Sequence, residues 1–452
     1  RLQGDWSSDV CSSDLIIKES EALYGRSHGL IPAYSQTLAK GPTQFVNGVA
    51  PKYLQRGKGA RVWDVDGNEY LDYNAGIGPI SLGYGYDVVD SAIKKQLDDG
   101  ITFSLVHPLE VELAELIREV VPNAESVRYG KTGAEVTSAA VRLARAFTGR
   151  DKVLCCGYHG WHDWYIGVSS RDLGVPEATK ALVHTFSYND LAAVEAALDE
   201  TVACVILEPM TFDFPQDDFL HKLQRLCQRH GSLLIFDEMW TGFRWALGGA
   251  QEYFDVRPDL ACYSKAIANG MPLAVLTGRA EVMALLDEDV FFFSTFGGEA
   301  LSLAAAQATI HELRDHDVTT YLANIGELLQ AGYNELALDK GLDYTRCKGH
   351  PARSLITFDA SAGDPLLLKS LMQQELIKRG ILWSGFHNIT FSHTTRDVDY
   401  TLEAYREVLK IVKKAVKKAK VAELLRGEPV QPVFRKTDGF NTKPAVPVAA
   451  LR

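Results

Sequence analysis

Four short apolar runs, separated by more polar stretches with helical spacing, constrain the fold of this chain most strongly. Each run has four to six residues and contains β-branched side chains, without alternation of apolar and polar residues. The runs occupy residues 153–156, 202–207, 233–236 and 273–276. Such runs are typical of strands buried on both faces, and helical spacing at residues 190–198 and 219–229 separates some of them. This order predicts an α/β fold with a mostly parallel sheet in a large domain.

The two chain ends differ from this middle part. Residues 60–75 alternate apolar and polar side chains around Asp66-Gly67, which indicates a hairpin, and an α+β region follows a long helix after about residue 320. We therefore expect a smaller α+β domain built from both chain ends. The expected segments are a leader that is not native (1–15), the N-terminal part of the small domain (16–75), the large domain (76–325), the C-terminal part of the small domain (326–420) and a tail (421–452).

Charge and cysteine content exclude several classes of protein. Lys and Arg number 47 against 58 Asp and Glu, and this acidic balance argues against nucleic-acid binding. No apolar stretch reaches the roughly 20 residues that cross a bilayer. The seven cysteines contain no Cys-x-x-Cys pair, which argues against a structural zinc site and suits a reducing compartment. We expect a cytoplasmic protein that binds neither membranes nor nucleic acid.

A helix start at residues 132–135, Thr-Gly-Ala-Glu, follows a predicted strand at 127–129. Thr132 and Glu135 have the spacing of a capping box, and Gly133 leaves the backbone open to a ligand. Free N–H groups and the positive end of the helix dipole make such a terminus a phosphate site. A capped helix without a ligand fits the same pattern.

Two ionisable residues follow predicted strands. Asp237 comes directly after the run 233–236, where ligands of open α/β sheets bind. It serves a site there or pairs with a cation, for which Arg244 is available. Lys265 lies in a weakly polar stretch, and a buried lysine has a lowered pKa that suits Schiff-base chemistry. An exposed loop lysine is the alternative.

A fourth segment, residues 156–163, follows the run at 153–156. Tyr158 at its start is suited to stacking on a planar ligand. His159, His162 and Asp163 have a superficial likeness to metal ligands, although no further ligand cluster has suitable spacing. A phosphate cradle, a strand-end carboxylate, a partly buried lysine and an aromatic platform together predict pyridoxal 5'-phosphate as cofactor and no metal.

Longer motifs carry a family resemblance that runs from about residue 43 to residue 416. They read TGAEVTSAAVRLARAFTGRDKV, CGYHGWHDW, ILEP, LLIFDEMWTGFR, GGAQEYFDVRPDL, YSKAIANGMP and STFGGEALSLAAA. In these motifs the chain resembles the class III pyridoxal-phosphate aminotransferases, and within them the branch similar to glutamate-1-semialdehyde 2,1-aminomutase. The resemblance implies the PLP-dependent transferase fold type I.

The resemblance also implies a role for each site residue. Lys265 would hold the cofactor as an imine and move the substrate proton, and Asp237 would pair with the pyridine nitrogen. The other cofactor-binding residues implied in the same way are Thr132, Gly133 and Ala134 at the phosphate, Tyr158 and Met239 on the two ring faces, Glu208 near the cofactor, and Thr295. Thr295 resembles the family threonine that reaches the phosphate of the neighbouring subunit, which implies a homodimer with shared active sites.

The reaction itself is expected to be a ping-pong transfer between a small-molecule amino donor and a keto or aldehyde acceptor. Intramolecular transfer by an aminomutase is the alternative. The aminomutases of this family usually carry Gly-Ser-Trp-Gly-Pro after the hairpin, whereas residues 75–79 here read Ala-Gly-Ile-Gly-Pro. Residues 384–388 and 392–394 also depart from the aminomutase pattern, and both departures favour transfer.

The remaining candidates are less specific. Four side chains are candidates for the substrate pocket, and each fits the core or the surface equally well: Trp63, Trp240, Phe386 and His387. Two other classes of protein stay open, a non-enzymatic scaffold without cofactor and a metal-dependent hydrolase built on His159, His162 and Asp163.

Overall fold

The computed structural model describes residues 15–432, so nearly all of the expected leader and the last part of the expected tail lie outside the described residues. The strands in chain order are β1 (Leu54–Lys58), β2 (Arg61–Asp64), β3 (Glu69–Asp72), β4 (Ser126–Gly130), β5 (Lys152–Cys156), β6 (Val183–Thr185), β7 (Val202–Leu207), β8 (Leu233–Asp237), β9 (Leu260–Tyr263), β10 (Ala274–Gly278), β11 (Thr345–His350), β12 (Arg353–Phe358), β13 (Ile381–Leu382) and β14 (Phe386–Asn388).

Helices occupy much of the chain between the strands. In chain order they are α1 (Lys18–Ser27), α2 (Asp87–Asp99), α3 (Pro108–Val120), α4 (Gly133–Thr148), α5 (Asp163–Ile166), α6 (Glu177–Lys180), α7 (Leu191–Ala197), α8 (Phe219–His230), α9 (Ala250–Tyr253), α10 (Ala280–Met283), α11 (Ala300–Asp315), α12 (Val318–Asp339), α13 (Pro365–Ile377), α14 (Thr395–Lys417) and α15 (Val421–Leu424). Among residues 15–432, no helix is long and apolar enough to cross a membrane.

The large sheet has seven strands in the order β4-β10-β9-β8-β7-β5-β6. Its strands are parallel except for β10, which runs antiparallel to both of its neighbours. The expected α/β fold with a mostly parallel sheet is therefore confirmed. The run at 273–276 belongs to the one reversed strand, which its apolar composition alone does not distinguish from the others.

Both faces of this sheet are buried, as the unbroken apolar runs predict. Along β8, Leu234 and Phe236 join one hydrophobic cluster, which also contains residues of α8. Leu233 and Ile235 join a second cluster, which also contains residues of α4. Successive side chains of β8 thus pack against helices on opposite sides of the sheet. The strand ends remain the accessible part of the sheet.

The smaller sheets use strands from both parts of the chain. One has the order β1-β2-β3-β13, in which Ile381 of β13 pairs in parallel with Leu71 of β3. The other is antiparallel, with the order β11-β12-β14. The start of the expected tail packs against the N-terminal part, because Val430 is buried and the Gln431 N–H donates to the Thr43 carbonyl at 2.8 Å. The domain boundaries stay a prediction.

The direction of the strands brings the predicted site residues to one edge. The carboxyl ends of β4, β5, β7, β8 and β9 lie on the same side of the large sheet. After these ends come the start of α4, Tyr158, Glu208, the end residue Asp237 itself, and Lys265. This edge is where an open α/β sheet binds its ligands.

Candidate active site

Lys265 begins a 3₁₀ turn (Lys265–Ala268) directly after β9, with φ of 46°. Its Nζ lies 3.5 Å from the centre of the Trp240 ring. Burial and the positive charge of Arg353 lower the pKa of Lys265 to about 7, against the opposing effect of Glu208 and Asp237. A large fraction of this amine is therefore neutral and nucleophilic near neutral pH.

Asp237 at the end of β8 is almost fully buried. Its Oδ2 lies 2.8 Å from Nδ1 of His159, and its Oδ1 accepts a hydrogen bond from the Met239 N–H at 3.1 Å. Nε2 of His159 is buried and has no hydrogen-bond partner within the described part of the chain. The buried carboxylate is thus held in one orientation by an imidazole and a backbone amide.

Arg244 does not pair with Asp237, so the alternative partner considered from sequence is wrong. Its buried guanidinium donates to the Ile389 carbonyl at 2.7 Å and to the Gly78 carbonyl at 3.0 Å. These carbonyls come from segments far apart in sequence. Arg244 therefore ties three parts of the chain together and is not a partner of Asp237.

The histidines near Tyr158 do not form a metal centre with Asp163. His159 faces Asp237, whereas Nδ1 of His162 lies 2.7 Å from the Ser138 hydroxyl. Between residues 15 and 432, no group of three or more His, Cys, Asp or Glu side chains is arranged to hold a metal ion. The described residues thus supply no ligand set for the hydrolase alternative.

The start of α4 has the capping box that its spacing predicts. The Thr132 hydroxyl accepts from the Glu135 N–H, and Oε2 of Glu135 accepts from the Thr132 N–H at 2.9 Å. Within the described residues, the N–H groups of Gly133 and Ala134 have no hydrogen-bond partner, as the first turn of a helix requires. They are free to bind an anion.

Two glycines allow the backbone around this terminus to pack closely. A Cβ atom on Gly133 would lie 2.9 Å from Sδ of Met239. A Cβ atom on Gly160 would lie 2.8 Å from Cα of Ala134, and Gly160 has φ of 106°. The two glycines thus let the start of α4 approach Met239 and the segment that contains Gly160.

Tyr158, Glu208 and Met239 surround the same space. The Tyr158 N–H donates to Oε1 of Glu208 at 2.8 Å. Glu208 is buried, and burial together with the charge of Asp237 raises its pKa. Tyr158 is 44% exposed, so its ring borders an open space, and Met239 lies between Asp237 and Gly133. The structure thus brings these predicted residues together with Lys265.

Thr295 differs from this group in its contacts within the single chain. It is exposed, and no hydrogen bond joins it to the residues named above. Its segment also exposes Phe291, Phe293 and Phe296. Its expected role in a neighbouring subunit's site stays a prediction.

Sequence reasoning missed Arg353, the first residue of β12. Its guanidinium is almost fully buried, with Cζ 3.8 Å from the Trp240 ring and 4.5 Å from the Phe212 ring. Burial lowers the pKa of Arg353 to about 9, which Glu208 partly opposes. A lone arginine outside every motif gives no local signal, because its site forms only when β12 packs against the segments that follow β7 and β8.

The four candidates for the substrate pocket have different surroundings. Trp240 contacts both Lys265 and Arg353, and Phe386 lies within 5.6 Å of Arg353. His387 belongs to the core, with its ring nitrogens 2.9 Å from the Ser354 hydroxyl and 2.7 Å from the Tyr405 hydroxyl. Trp63 lies in the β1–β2 hairpin beneath Arg56.

Comparison with known proteins decides the family. Residues 46–388 match the family model described as aminotransferase class-III. The chain belongs to the class-III aminotransferase family. It is 35% identical to the 3-aminobutyryl-CoA aminotransferase of Cloacimonas acidaminovorans (strain Evry), over 88% of this chain and 99% of the relative. It is 34% identical to the glutamate-1-semialdehyde 2,1-aminomutase of Aquifex aeolicus (strain VF5), over 80% and 93%.

Solved structures of similar proteins share the fold. The Sphingopyxis sp. MTA144 FumI protein, solved in its PLP internal aldimine form, is 27% identical with a TM-score of 0.82, over 88% of this chain and 97% of that one. A β-phenylalanine aminotransferase from Variovorax paradoxus is 26% identical with a TM-score of 0.78, over 91% and 96%. The fold of this class-III chain is the PLP-dependent transferase fold type I, and its family implies PLP as the cofactor.

Proposed function

We propose that this protein is a PLP-dependent aminotransferase that moves an amino group from an amino donor to a keto or aldehyde acceptor in two half-reactions. The observation that carries the proposal is the amine of Lys265, with its pKa lowered to about 7, beside the buried carboxylate of Asp237. A nucleophilic amine and a fixed carboxylate at the ligand-binding edge of an α/β sheet are the pair that this chemistry requires.

The described residues fit the cofactor at both of its ends. The free N–H groups of Gly133 and Ala134, next to Thr132, would bind the phosphate. Asp237 would accept a hydrogen bond from the protonated pyridine nitrogen, with His159 holding its other oxygen. When bound, PLP supplies an electron sink that stabilises negative charge on the substrate carbon.

The protein's own groups do the proton chemistry. Nζ of Lys265 would first hold the cofactor covalently and, once displaced by the substrate amine, take the proton from the substrate carbon. The same Nζ would return that proton to the cofactor carbon bonded to the substrate nitrogen. It can both accept and release the proton because the pKa of Lys265 lies close to neutral pH. Tyr158 and Met239 would keep the ring in place on its two faces, and Glu208 would hold the backbone at Tyr158.

The active form is proposed to be a homodimer with shared sites. Phe291, Phe293 and Phe296 are 72%, 59% and 59% exposed in the single chain, beside Thr295. Several large apolar side chains exposed on one short segment are typical of an interface. A second copy covering this segment would bring Thr295 to the phosphate cradle. The cytoplasmic location expected from cysteine usage is part of the same proposal.

The test is a single half-reaction. The cofactor-loaded protein, mixed with an amino donor and no acceptor, is expected to release one equivalent of keto product per site and to lose its visible absorbance. A carbonyl acceptor added afterwards should restore both the absorbance and the capacity for another turnover. Product formed only when donor and acceptor are present together would contradict the two-step transfer.

The Lys265→Ala variant tests the residue. We expect a loss of turnover of at least about a thousandfold, because the amine that moves the proton is gone. Lys369→Ala is a matched control, since burial also lowers the pKa of Lys369 to about 8 but no motif contains it. Equal losses in both variants would contradict the assignment.

Intramolecular transfer is a second candidate, because relatives at 34% identity are named glutamate-1-semialdehyde 2,1-aminomutase. Position 77, the tryptophan of the aminomutase pattern, is isoleucine here, in a left-handed conformation with φ of 72°. Glutamate-1-semialdehyde supplied without any acceptor distinguishes the two functions. Its sustained conversion to 5-aminolevulinate would establish the aminomutase.

A further inference from the structure

Arg353 has the features of a binding residue rather than of a structural one. We propose that its guanidinium binds the carboxylate of the substrate, so that the substrates are amino acids and keto or semialdehyde acids rather than simple amines. This inference rests on the proposed function and specifies the substrate class of the same site. It follows from the packing of the guanidinium, its unused hydrogen-bond donors and its position relative to Lys265.

Aromatic rings hold the guanidinium in place. Its Cζ lies 3.8 Å from the Trp240 ring, 4.5 Å from the Phe212 ring and 5.6 Å from the Phe386 ring. Phe212 and Phe386 are themselves stacked, with their ring centres 5.4 Å apart. Aromatic faces stabilise the flat cation without using its N–H groups, which leaves the edge of the guanidinium to bind a planar anion.

The protein leaves these donors largely unused. Nε of Arg353 is buried without a hydrogen-bond partner, and Nη1 makes only a long bond of 3.4 Å to the Thr211 carbonyl. Among the ion pairs of residues 15–432, none includes Arg353. A buried charge without a partner is costly, and a carboxylate from the substrate would satisfy it with two parallel hydrogen bonds.

Glu208 does not fill this role. Its charge acts on Arg353 but does not approach within ion-pair distance, and its Oε1 accepts the Tyr158 N–H. Burial and Asp237 also raise the pKa of Glu208, which weakens its charge as a counterion. The positive charge of Arg353 therefore remains available to a ligand.

The position of Arg353 suits a substrate that reacts at Lys265. Both side chains contact the same Trp240 ring, with Nζ of Lys265 3.5 Å and Cζ of Arg353 3.8 Å from its centre. At these distances the two groups lie on opposite faces of the ring, so a substrate that reacts at Lys265 would place its carboxylate at Arg353 around the edge of Trp240. Arg244 fixes the backbone beside Arg353, because it donates to the Ala352 carbonyl at 3.5 Å and to the Ile389 carbonyl at 2.7 Å.

The experiment compares an amino acid with an amine of similar shape. Turnover is measured with 3-aminobutyrate and with sec-butylamine, in which a methyl group replaces the carboxylate. Binding of butyrate, which cannot react, is measured by calorimetry on the same preparations. The variants are Arg353→Gln, Arg353→Lys and the control Arg346→Gln, an exposed arginine on the neighbouring strand β11.

For Arg353→Gln we expect the ratio of kcat/KM for the acid to that for the amine to fall about 10- to 100-fold, with a matching loss of butyrate affinity. In Arg353→Lys the ratio should fall less, because a single ammonium group replaces the guanidinium, which can donate two parallel hydrogen bonds. Arg346→Gln should keep both quantities. An unchanged ratio and unchanged butyrate affinity in Arg353→Gln would overturn the inference.

Two further outcomes are decisive. If Arg353→Gln does not fold, an acid-to-amine ratio in Arg353→Lys equal to that of the unmodified protein overturns the inference. Preference of the unmodified protein for O-phosphoethanolamine over 3-aminobutyrate would assign the site to phosphate and overturn the carboxylate. A protein that transfers no amino group but loses butyrate binding on Arg353→Gln would contradict the proposed function and still support the anion site.

Discussion

The two ends of the candidate site are built in different ways. The cofactor end consists of short motifs that each follow a strand, such as Thr132 to Glu135 after β4 and Asp237 at the end of β8. The proposed substrate end consists of single side chains, Phe212, Trp240 and Arg353, that no motif connects. The cofactor end is therefore encoded locally, whereas the proposed contacts to the substrate arise from tertiary packing.

The rate at which Lys265 reacts with the cofactor should depend strongly on pH. Because its pKa is lowered to about 7, the neutral amine decreases about tenfold per pH unit below that value and changes little above pH 8. The rate at which cofactor-free protein captures pyridoxal phosphate should follow this curve, as measured by stopped-flow absorbance. Arg353 lowers this pKa, whereas Glu208 and Asp237 raise it. A rate that still climbs tenfold between pH 8 and pH 9 would indicate an ordinary lysine.

The substrate end should be the more sensitive to loss of long-range contacts. Replacing Arg244 with methionine removes donors to the buried carbonyls of Gly78, Ile389 and Ala352, and we expect the free energy of unfolding to decrease by about 3 kcal/mol or more. Urea unfolding measures this change. The exposed Arg346→Gln variant is the control. Equal stability of the two variants would show that the hydrogen bonds of Arg244 do not stabilise the fold.

The affinity for the cofactor at the start of α4 should be sensitive to one added methyl group. Gly133→Ala places a Cβ atom 2.9 Å from Sδ of Met239, and we expect about a tenfold loss of cofactor affinity by fluorescence titration. Gly25→Ala is the matched control, because a Cβ atom there has no neighbour within 4 Å. Undiminished affinity in Gly133→Ala would show that the packing at this terminus does not limit binding.

The smallest expected effect concerns the capping box alone. Glu135→Ala removes the acceptor for the N–H groups of Lys131 and Thr132, at a cost of about 1 kcal/mol in the free energy of unfolding. Thermal unfolding detects a change of this size. Glu115→Ala, in the exposed part of α3, should change stability less. If the two substitutions cost the same, the capping box has no special role.

The fold was predictable where local signals coincide with burial. The runs in β5, β7 and β8 lie within one residue of their observed bounds, because strands buried on both faces contain no polar positions to obscure them. The reversal of β10 was not predictable from its composition. The pairing of β13 with β3 joins residues about 310 positions apart, and two residues carry no periodicity.

The same distinction between local signals and tertiary contacts applies to the site residues. Lys265 and Asp237 were recognisable from their positions after strands and from the family motifs around them. The contact between Asp237 and His159 was not, because the spacing of the histidines resembles a metal site as much as a carboxylate partner. Arg353 was missed entirely, since the rings that surround its guanidinium come from three other segments.

One lysine side chain, Lys265, is proposed to carry the cofactor. Treating the cofactor-saturated protein with borohydride fixes any such link permanently, and digestion with mass spectrometry then locates it. We expect a single modified peptide, containing Lys265, with a mass increase equal to reduced pyridoxal phosphate. A modification on another lysine, or an unmodified protein after saturation and reduction, would contradict this role of Lys265.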